Sequence, residues 1–172
     1  NLNFIPIEKQ DMRWTINVNG TYQKTEITKL TNDDSTYLGV QTGANMGGTG
    51  GYTSLHRVGY APYTYYLYQQ AYDENGKAIQ NVLVDRDGDG SITEADRYVT
   101  GKSITPKFFF GLSSQFTYKK WDFGFNAHGS FGGYALNRIA MNNSSAFSDD
   151  YTKGYINNLS TNVLKTGWTR AI

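Results

Sequence analysis

Cysteine is absent from the 172 residues. That excludes disulfide staples, thiolate zinc sites and cysteine nucleophiles together. Histidine is scarce, present only at His56 and His128, which leaves little material for an imidazole-based metal or catalytic site. Charge is scarce too. Only 18% of residues are Asp, Glu, Lys or Arg, below the roughly 25% of ordinary globular chains. Sixteen basic residues face 15 acidic ones, for a formal net charge of +1. So balanced a chain does not neutralise rows of phosphates, and nucleic acid is excluded as a partner. No apolar window of about 18 residues occurs, so no helix spans a bilayer. Neither a nucleophile–base pair nor an isolated carboxylate dyad stands out, and no enzymatic activity is expected.

What the chain has in quantity is Tyr (14), Phe (9) and Gly (19). The aromatic content argues against disorder. A mean hydropathy of −0.55 does not settle the membrane question. A transmembrane β-strand needs only about 9–11 residues with one apolar face, and averaging hides it.

Three segments alternate with period 2. From Trp14 to Tyr22, one face carries Trp14, Ile16, Val18, Gly20 and Tyr22; the other carries Thr15, Asn17, Asn19 and Thr21. From Phe108 to Lys119, Phe108, Phe110, Leu112, Ser114, Phe116 and Tyr118 alternate with Phe109, Gly111, Ser113, Gln115, Thr117 and Lys119. From Trp121 to Phe131, Trp121, Phe123, Phe125, Ala127 and Phe131 alternate with Asp122, Gly124, Asn126, His128 and Ser130. These are strands. The second face is small and polar where a soluble sheet usually carries Lys and Glu. Trp14, Tyr118 and Trp121 sit near strand ends, as an interfacial girdle would place them. The pattern alone leaves two architectures open, an outer-membrane barrel and a soluble aromatic-rich β-domain.

Lys119-Lys120 predicts a tight hairpin, and Lys9–Arg13 predicts another between Asn3–Glu8 and the strand from Trp14. Residues 23–106 and 132–172 are then long connections. By the rule that outer-membrane barrels keep short turns on the periplasmic side, both connections are extracellular. A structureless loop of that length is improbable, so the first is expected to hold folded elements. Helix-friendly windows are short: Thr93–Arg97 and Ser145–Tyr151.

Gly39–Gly51 is Gly-rich but lacks the Lys-Ser/Thr and following helix of a phosphate loop, and it reads as a loop. Within the run Gly59–Tyr68, Tyr60, Tyr63, Tyr65 and Tyr66 are candidate substrate contacts, since Tyr faces stack on sugars or peptide groups. The competing reading is that they pack a sheet.

Asp85 to Asp96 reads D-R-D-G-D-G-S-I-T-E-A-D. In an EF-hand-type loop, positions 1, 3 and 5 supply carboxylates, position 6 is Gly, position 7 gives a carbonyl and position 12 closes the shell. Those positions are Asp85, Asp87, Asp89, Gly90, Ser91 and Asp96. Hard oxygen ligands without His or Cys select calcium, so a structural calcium on Asp85, Asp87, Asp89, Ser91 and Asp96 is expected. Position 12 is Asp where Glu is usual. Ile92 is expected to anchor the loop to a neighbouring strand pair, and Arg86 and Arg97 to offset its charge when no cation is bound. The bland alternative is a solvated acidic turn.

Taken in order, the motifs form a recognisable series. Gly59-Tyr60-Ala61-Pro62-Tyr63-Thr64-Tyr65-Tyr66 leads to the acidic loop, then Asp96-Arg97-Tyr98-Val99-Thr100-Gly101 and Pro106-Lys107-Phe108-Phe109-Phe110-Gly111-Leu112. Tyr118-Lys119-Lys120-Trp121-Asp122-Phe123 and Gly129-Ser130-Phe131-Gly132-Gly133 follow. Over residues 10–137 this order resembles the SusC/RagA family of TonB-dependent outer-membrane transporters of Bacteroidetes. The resemblance implies an all-β fragment from the C-terminal part of a 22-stranded antiparallel transmembrane barrel, with 23–106 and 132–172 outside. It implies an outer-membrane location in a Gram-negative bacterium, contact with lipid, and import of oligosaccharides or peptides. It also implies a SusD-like surface lipoprotein as lid and TonB as the source of energy. The family's plug and TonB box are not found in these residues, so the chain is expected to be a segment of a longer transporter. The alternative is a secreted, soluble, calcium-dependent carbohydrate-binding β-domain.

Overall fold

The computed structural model describes residues 1–31, 37–45 and 51–142, with 161, 162 and 165. Ser145–Tyr151, the Gly-rich residues 46–50 and most of 143–172 lie outside the described residues. The fold is all-β. Its elements are β1 (Leu2–Lys9), β2 (Met12–Tyr22), β3 (Val40–Asn45), β4 (Tyr52–His56), β5 (Thr64–Leu67), β6 (Gln70–Tyr72) and β7 (Ala78–Leu83), then β8 (Tyr98–Ser103), β9 (Phe108–Tyr118), β10 (Trp121–Phe131) and the five-residue α1 (Arg138–Asn142). No helix among the described residues is long and apolar enough to cross a membrane.

The three alternating segments join β1 in one four-stranded antiparallel sheet in the order β1-β2-β9-β10. Register decides whether their apolar faces coincide, because a one-residue slip would invert a strand. Here they coincide. Trp14 pairs with Phe116, Val18 with Leu112 and Tyr22 with Phe108. On the other side of β9, Phe123 pairs with Phe116, Ala127 with Leu112 and Phe131 with Phe108. The polar residues align in the same way: Asn17 and Asn126 both flank Ser113, and Asn19 and His128 both flank Gly111. β1 adds Leu2, Phe4 and Ile7 to the apolar face. One extra β1 residue between Phe4 and Ile7 makes a bulge, and Pro6 sits there, where a missing N–H costs no ladder bond.

Cross-strand bonds pin the register. Trp14 Nε1 donates to Ser114 Oγ at 2.9 Å, Asn17 Nδ2 to Ser113 Oγ at 3.2 Å, and Thr117 Oγ1 to Asp122 Oδ1 at 2.7 Å. Tyr22 and Phe108 rings lie 4.9 Å apart, and Phe110 stacks on Phe131 at 5.3 Å. The Phe110 ring also covers Gly129, where a Cβ would stand 2.3 Å from it.

The expected hairpins form, the first with a shorter turn than Lys9–Arg13: β1 and β2 are joined through Gln10-Asp11. The residues between β2 and β9 carry β3 to β8, as the length of that connection required. β3-β4-β5-β8 form a second sheet and β6-β7 a third. The closed 22-stranded barrel is not what these residues form alone: the described sheets are open, with β1 and β10 at the edges of the first.

Two compact units divide the chain. One is Asn1–Gly43, Ser54–Tyr65 and Gly101–Tyr134; the other is Ala44–Thr53, Tyr66–Thr100 and Ala135–Ile172. In the first, Leu55 is fully buried, and Ser54 pairs with Tyr65 and Leu55 with Thr64. By contrast, Trp121, Phe123 and Phe131 of the long sheet are 78%, 67% and 62% exposed. An apolar face left open at that scale requires a partner medium.

Candidate functional site

The second unit holds the acidic loop, between β7 and β8. Its carboxylates organise their own backbone. Asp85 Oδ1 accepts from Gly88 N–H at 2.6 Å and its Oδ2 from Gly90 N–H at 2.8 Å. Asp87 accepts from Asp89 N–H at 3.2 Å, and Asp89 from Ser91 N–H at 2.7 Å. Such Asx turns are what short carboxylates favour. Gly88 and Gly90 have φ of 77° and 83°, in the region open to glycine at least cost.

Carboxylate oxygens of Asp85, Asp87 and Asp89 converge within 4.8 Å of one another. Oxygens bound to one calcium at about 2.3–2.6 Å lie up to about 5 Å apart, so these three fit a shared hard cation. Asp96 is not in that group. It is fully buried. Its Oδ1 accepts from Arg86 N–H at 2.6 Å and its Oδ2 from Thr93 N–H at 2.7 Å. Thr93 caps the one-turn 3-10 helix Glu94–Asp96, with Asp96 closing the capping box. Asp96 therefore clamps the two ends of the loop. The N–H groups of Thr93 and then Arg86 hold its carboxyl below the ordinary carboxylate range. For Asp87, the bond from Asp89 N–H pulls the pKa down, but desolvation and the charges of Asp89, Asp96 and Asp85 outweigh it and raise it. A carboxylate held up by its like-charged neighbours is one that a cation would relieve.

Two expectations about the loop need correction. Ile92 is 38% exposed and does not anchor it. Neither flanking guanidinium forms an ion pair with Asp85, Asp87 or Asp89 among the described residues. Arg86 lies over the Tyr98 ring at 4.7 Å and donates to Gln69 Oε1 at 2.9 Å. Arg97 is buried. It lies over Tyr66 at 4.2 Å, donates to the Tyr66 carbonyl at 2.6 Å and to the Tyr52 carbonyl, and pairs with Glu94 at 3.2 Å. Two carbonyls, a ring face and Glu94 take its charge, and the Asp85, Asp87 and Asp89 carboxylates do not. The sequence carried no signal for this beyond the adjacency of Arg97 to the loop.

The four candidate tyrosines separate. Tyr66 is buried and its hydroxyl donates to Glu94 O at 3.2 Å. Tyr65 is buried and donates to Tyr134 O at 3.2 Å. Both are packing residues here, so the substrate-contact expectation narrows to Tyr60 and Tyr63. Tyr63 is 41% exposed, has φ 56°, and meets His56 edge-on at 4.6 Å. The His56 Nε2 is buried without a partner among the described residues.

Tyr60 lines a cavity of about 210 Å³ in the first unit. Four chain segments build it: 22–26, 59–61, 101–107 and 132–134. Backbone bonds hold them together. Gln23 N–H donates to Lys107 O, Lys107 N–H to Phe131 O, Tyr134 N–H to Ser103 O and Ile27 N–H to Tyr60 O, all at 2.9 Å. Gln23 Nε2 donates to Pro106 O at 3.2 Å, and Lys24 pairs with Glu26 at 2.7 Å. The Glu26 carboxylate, through a hydrogen bond first and its charge second, raises the Lys24 pKa above the ordinary value. No local sequence pattern joins segments so far apart, so sequence reading found only the Tyr60 corner.

No protein-family model matches the chain. Among curated proteins, the TonB-dependent receptor SusC of Bacteroides thetaiotaomicron is 37% identical over 155 residues, which are 87% of this chain and 15% of that receptor. The chain thus spans about 15% of the length of the curated relative it matches.

Proposed function

This chain belongs to the SusC-like family of TonB-dependent receptors, and from that membership we propose that it is wall and external loop of an outer-membrane active importer of oligosaccharides. The observation that carries the reading is the register of the long sheet. The strands align one aromatic-rich apolar face, and a second face that is mainly Asn, Gln, Ser, Thr and Gly, with Phe109, Arg13, Asp122 and His128 among them. Strands of 11 residues match a bilayer crossing. In the proposal, the apolar face meets lipid and Asn17, Asn19, Gln115, Asn126 and His128 face the lumen. β1 and β10 continue into neighbouring strands of a closed 22-stranded barrel, which removes their open edges. Residues 23–106 and 132–172 lie outside the cell. There they meet a SusD-like lipoprotein lid, while TonB acts on a part of the transporter beyond this segment.

In the same proposal the loop at Asp85, Asp87 and Asp89 binds calcium, with Ser91 contributing its carbonyl and Asp96 fixing the loop ends. The ion would neutralise three converging carboxylates and stiffen the external region. Calorimetry of the full-length transporter tests this. Calcium binding at micromolar to millimolar Kd, lost in Asp85→Asn with Asp87→Asn, is the expected result; equal binding by the double variant would remove the site.

The import reading is tested by replacing the gene with a deletion in its own host and measuring growth on single purified glycans. Loss of growth on one glycan, restored by the intact gene, supports it. Recovery of the full-length protein in the soluble fraction without detergent would overturn it and favour a secreted carbohydrate-binding domain.

A further inference from the structure

We propose that the cavity around Tyr60 is a subsite for one pyranose ring of the imported glycan; this rests on the import reading above and names a place for its substrate. Size is the first argument. About 210 Å³ is below the roughly 300–1,000 Å³ of pockets for drug-sized ligands, so it takes a ring and not a chain segment. Polar chemistry is the second. Lys24 Nζ and Glu26 Oε2, 2.7 Å apart, present one donor and one acceptor side by side. Adjacent hydroxyls of a sugar ring match that spacing, one accepting from the ammonium and the other donating to the carboxylate. Tyr60 offers a half-buried ring and a hydroxyl bonded to no described residue, the combination of apolar face and polar tip that a sugar ring meets well. Lys107, also in the lining, forms no ion pair with any described residue and supplies a further donor.

A peptide fits less well for a physical reason. Peptide capture on a sheet relies on free main-chain donors and acceptors. The backbone groups of Gln23, Lys107 and Tyr134 that frame this cavity are already bonded to one another's segments. The wall also contains Gly59 and Gly101, at φ 84° and 70° with open space where a Cβ would stand, so part of it is bare backbone.

The test uses the full-length transporter with its lipoprotein partner, purified in detergent, and isothermal titration with hexasaccharides of α-glucan, β-glucan and mannan and with a pentapeptide pool. The expected result is that the wild type binds one hexasaccharide, and that Tyr60→Ala and Glu26→Gln each raise its Kd tenfold or more. Tyr72→Ala, an exposed tyrosine outside the cavity, should stay within twofold. Heat-modifiable electrophoretic mobility checks folding, and Glu26→Gln decides alone if Tyr60→Ala does not fold. Retention of wild-type affinity by the folded cavity variants overturns the subsite and leaves the import reading standing. Binding of peptides alone, or of none of the hexasaccharides, overturns the subsite. Growth of the deletion strain on every glycan tested overturns the reading beneath it.

Discussion

Arg97 shows how much one side chain holds in the second unit. It reaches two carbonyls, a carboxylate and an aromatic face while almost fully excluded from water. Arg97→Ala should destabilise the unit by about 2–4 kcal/mol, because two buried carbonyls lose a charged donor. Arg97→Lys should recover only part, since an ammonium lacks the planar fork. Limited proteolysis across residues 85–96 in the full-length protein measures both, with Ala cut fastest. Glycines differ from one another just as sharply. At Gly39, with φ 125°, a Cβ would stand 2.2 Å from the His56 carbonyl oxygen, and backbone cannot move aside. Gly39→Ala should cost about 3 kcal/mol or more. At Gly111 the nearest atoms are the amide end of Asn19, at 2.6 Å, which can swing away. Gly111→Ala should stay within about 1 kcal/mol. Urea unfolding in detergent compares the pair.

At the scale of elements, the β9–β10 hairpin turns through Lys119-Lys120 with Lys119 at φ 52°. Its N–H donates to Asp11 O at 2.7 Å, so the turn is tied to the β1–β2 turn and cannot relax. A non-Gly residue in this conformation costs about 1–2 kcal/mol. Lys119→Gly should therefore stabilise the hairpin by about 0.5–1 kcal/mol, read as a rise in thermal midpoint. The strands themselves were legible from alternation, and the hairpin from there being only Lys119-Lys120 between Tyr118 and Trp121. The pairing of β2 with β9, across residues 23–107, was not legible in the same way. The register of matching faces shows it in the structure, and no local signal in the sequence does. The short strands β3 to β8 escaped naming because few residues alternate within them, and their burial depends on distant partners.

For the whole molecule, the proposed barrel makes the two faces of β10 respond oppositely to charge. Phe125→Arg near mid-strand should cost about 2–4 kcal/mol if that face meets hydrocarbon. Asn126→Arg, one residue on and facing the other way, should cost under about 1 kcal/mol. Folding yield of the full-length transporter in lipid vesicles distinguishes them. Equal tolerance of both would count against a lipid-facing surface.

The sequence by itself determined the period-2 faces, the two hairpin turns, the all-β class, and the order of acidic residues in the loop. These are local properties, set by alternation, spacing and side-chain chemistry. Tertiary structure alone decided three other matters. It turned Asp96 from the cation cluster toward the Arg86 and Thr93 amides. It buried Tyr65 and Tyr66 while leaving Tyr60 at a cavity. It brought residues 22–26, 59–61, 101–107 and 132–134 around that cavity. Each depends on which backbone groups and side chains meet across long stretches of chain, and no periodicity along the sequence encodes that.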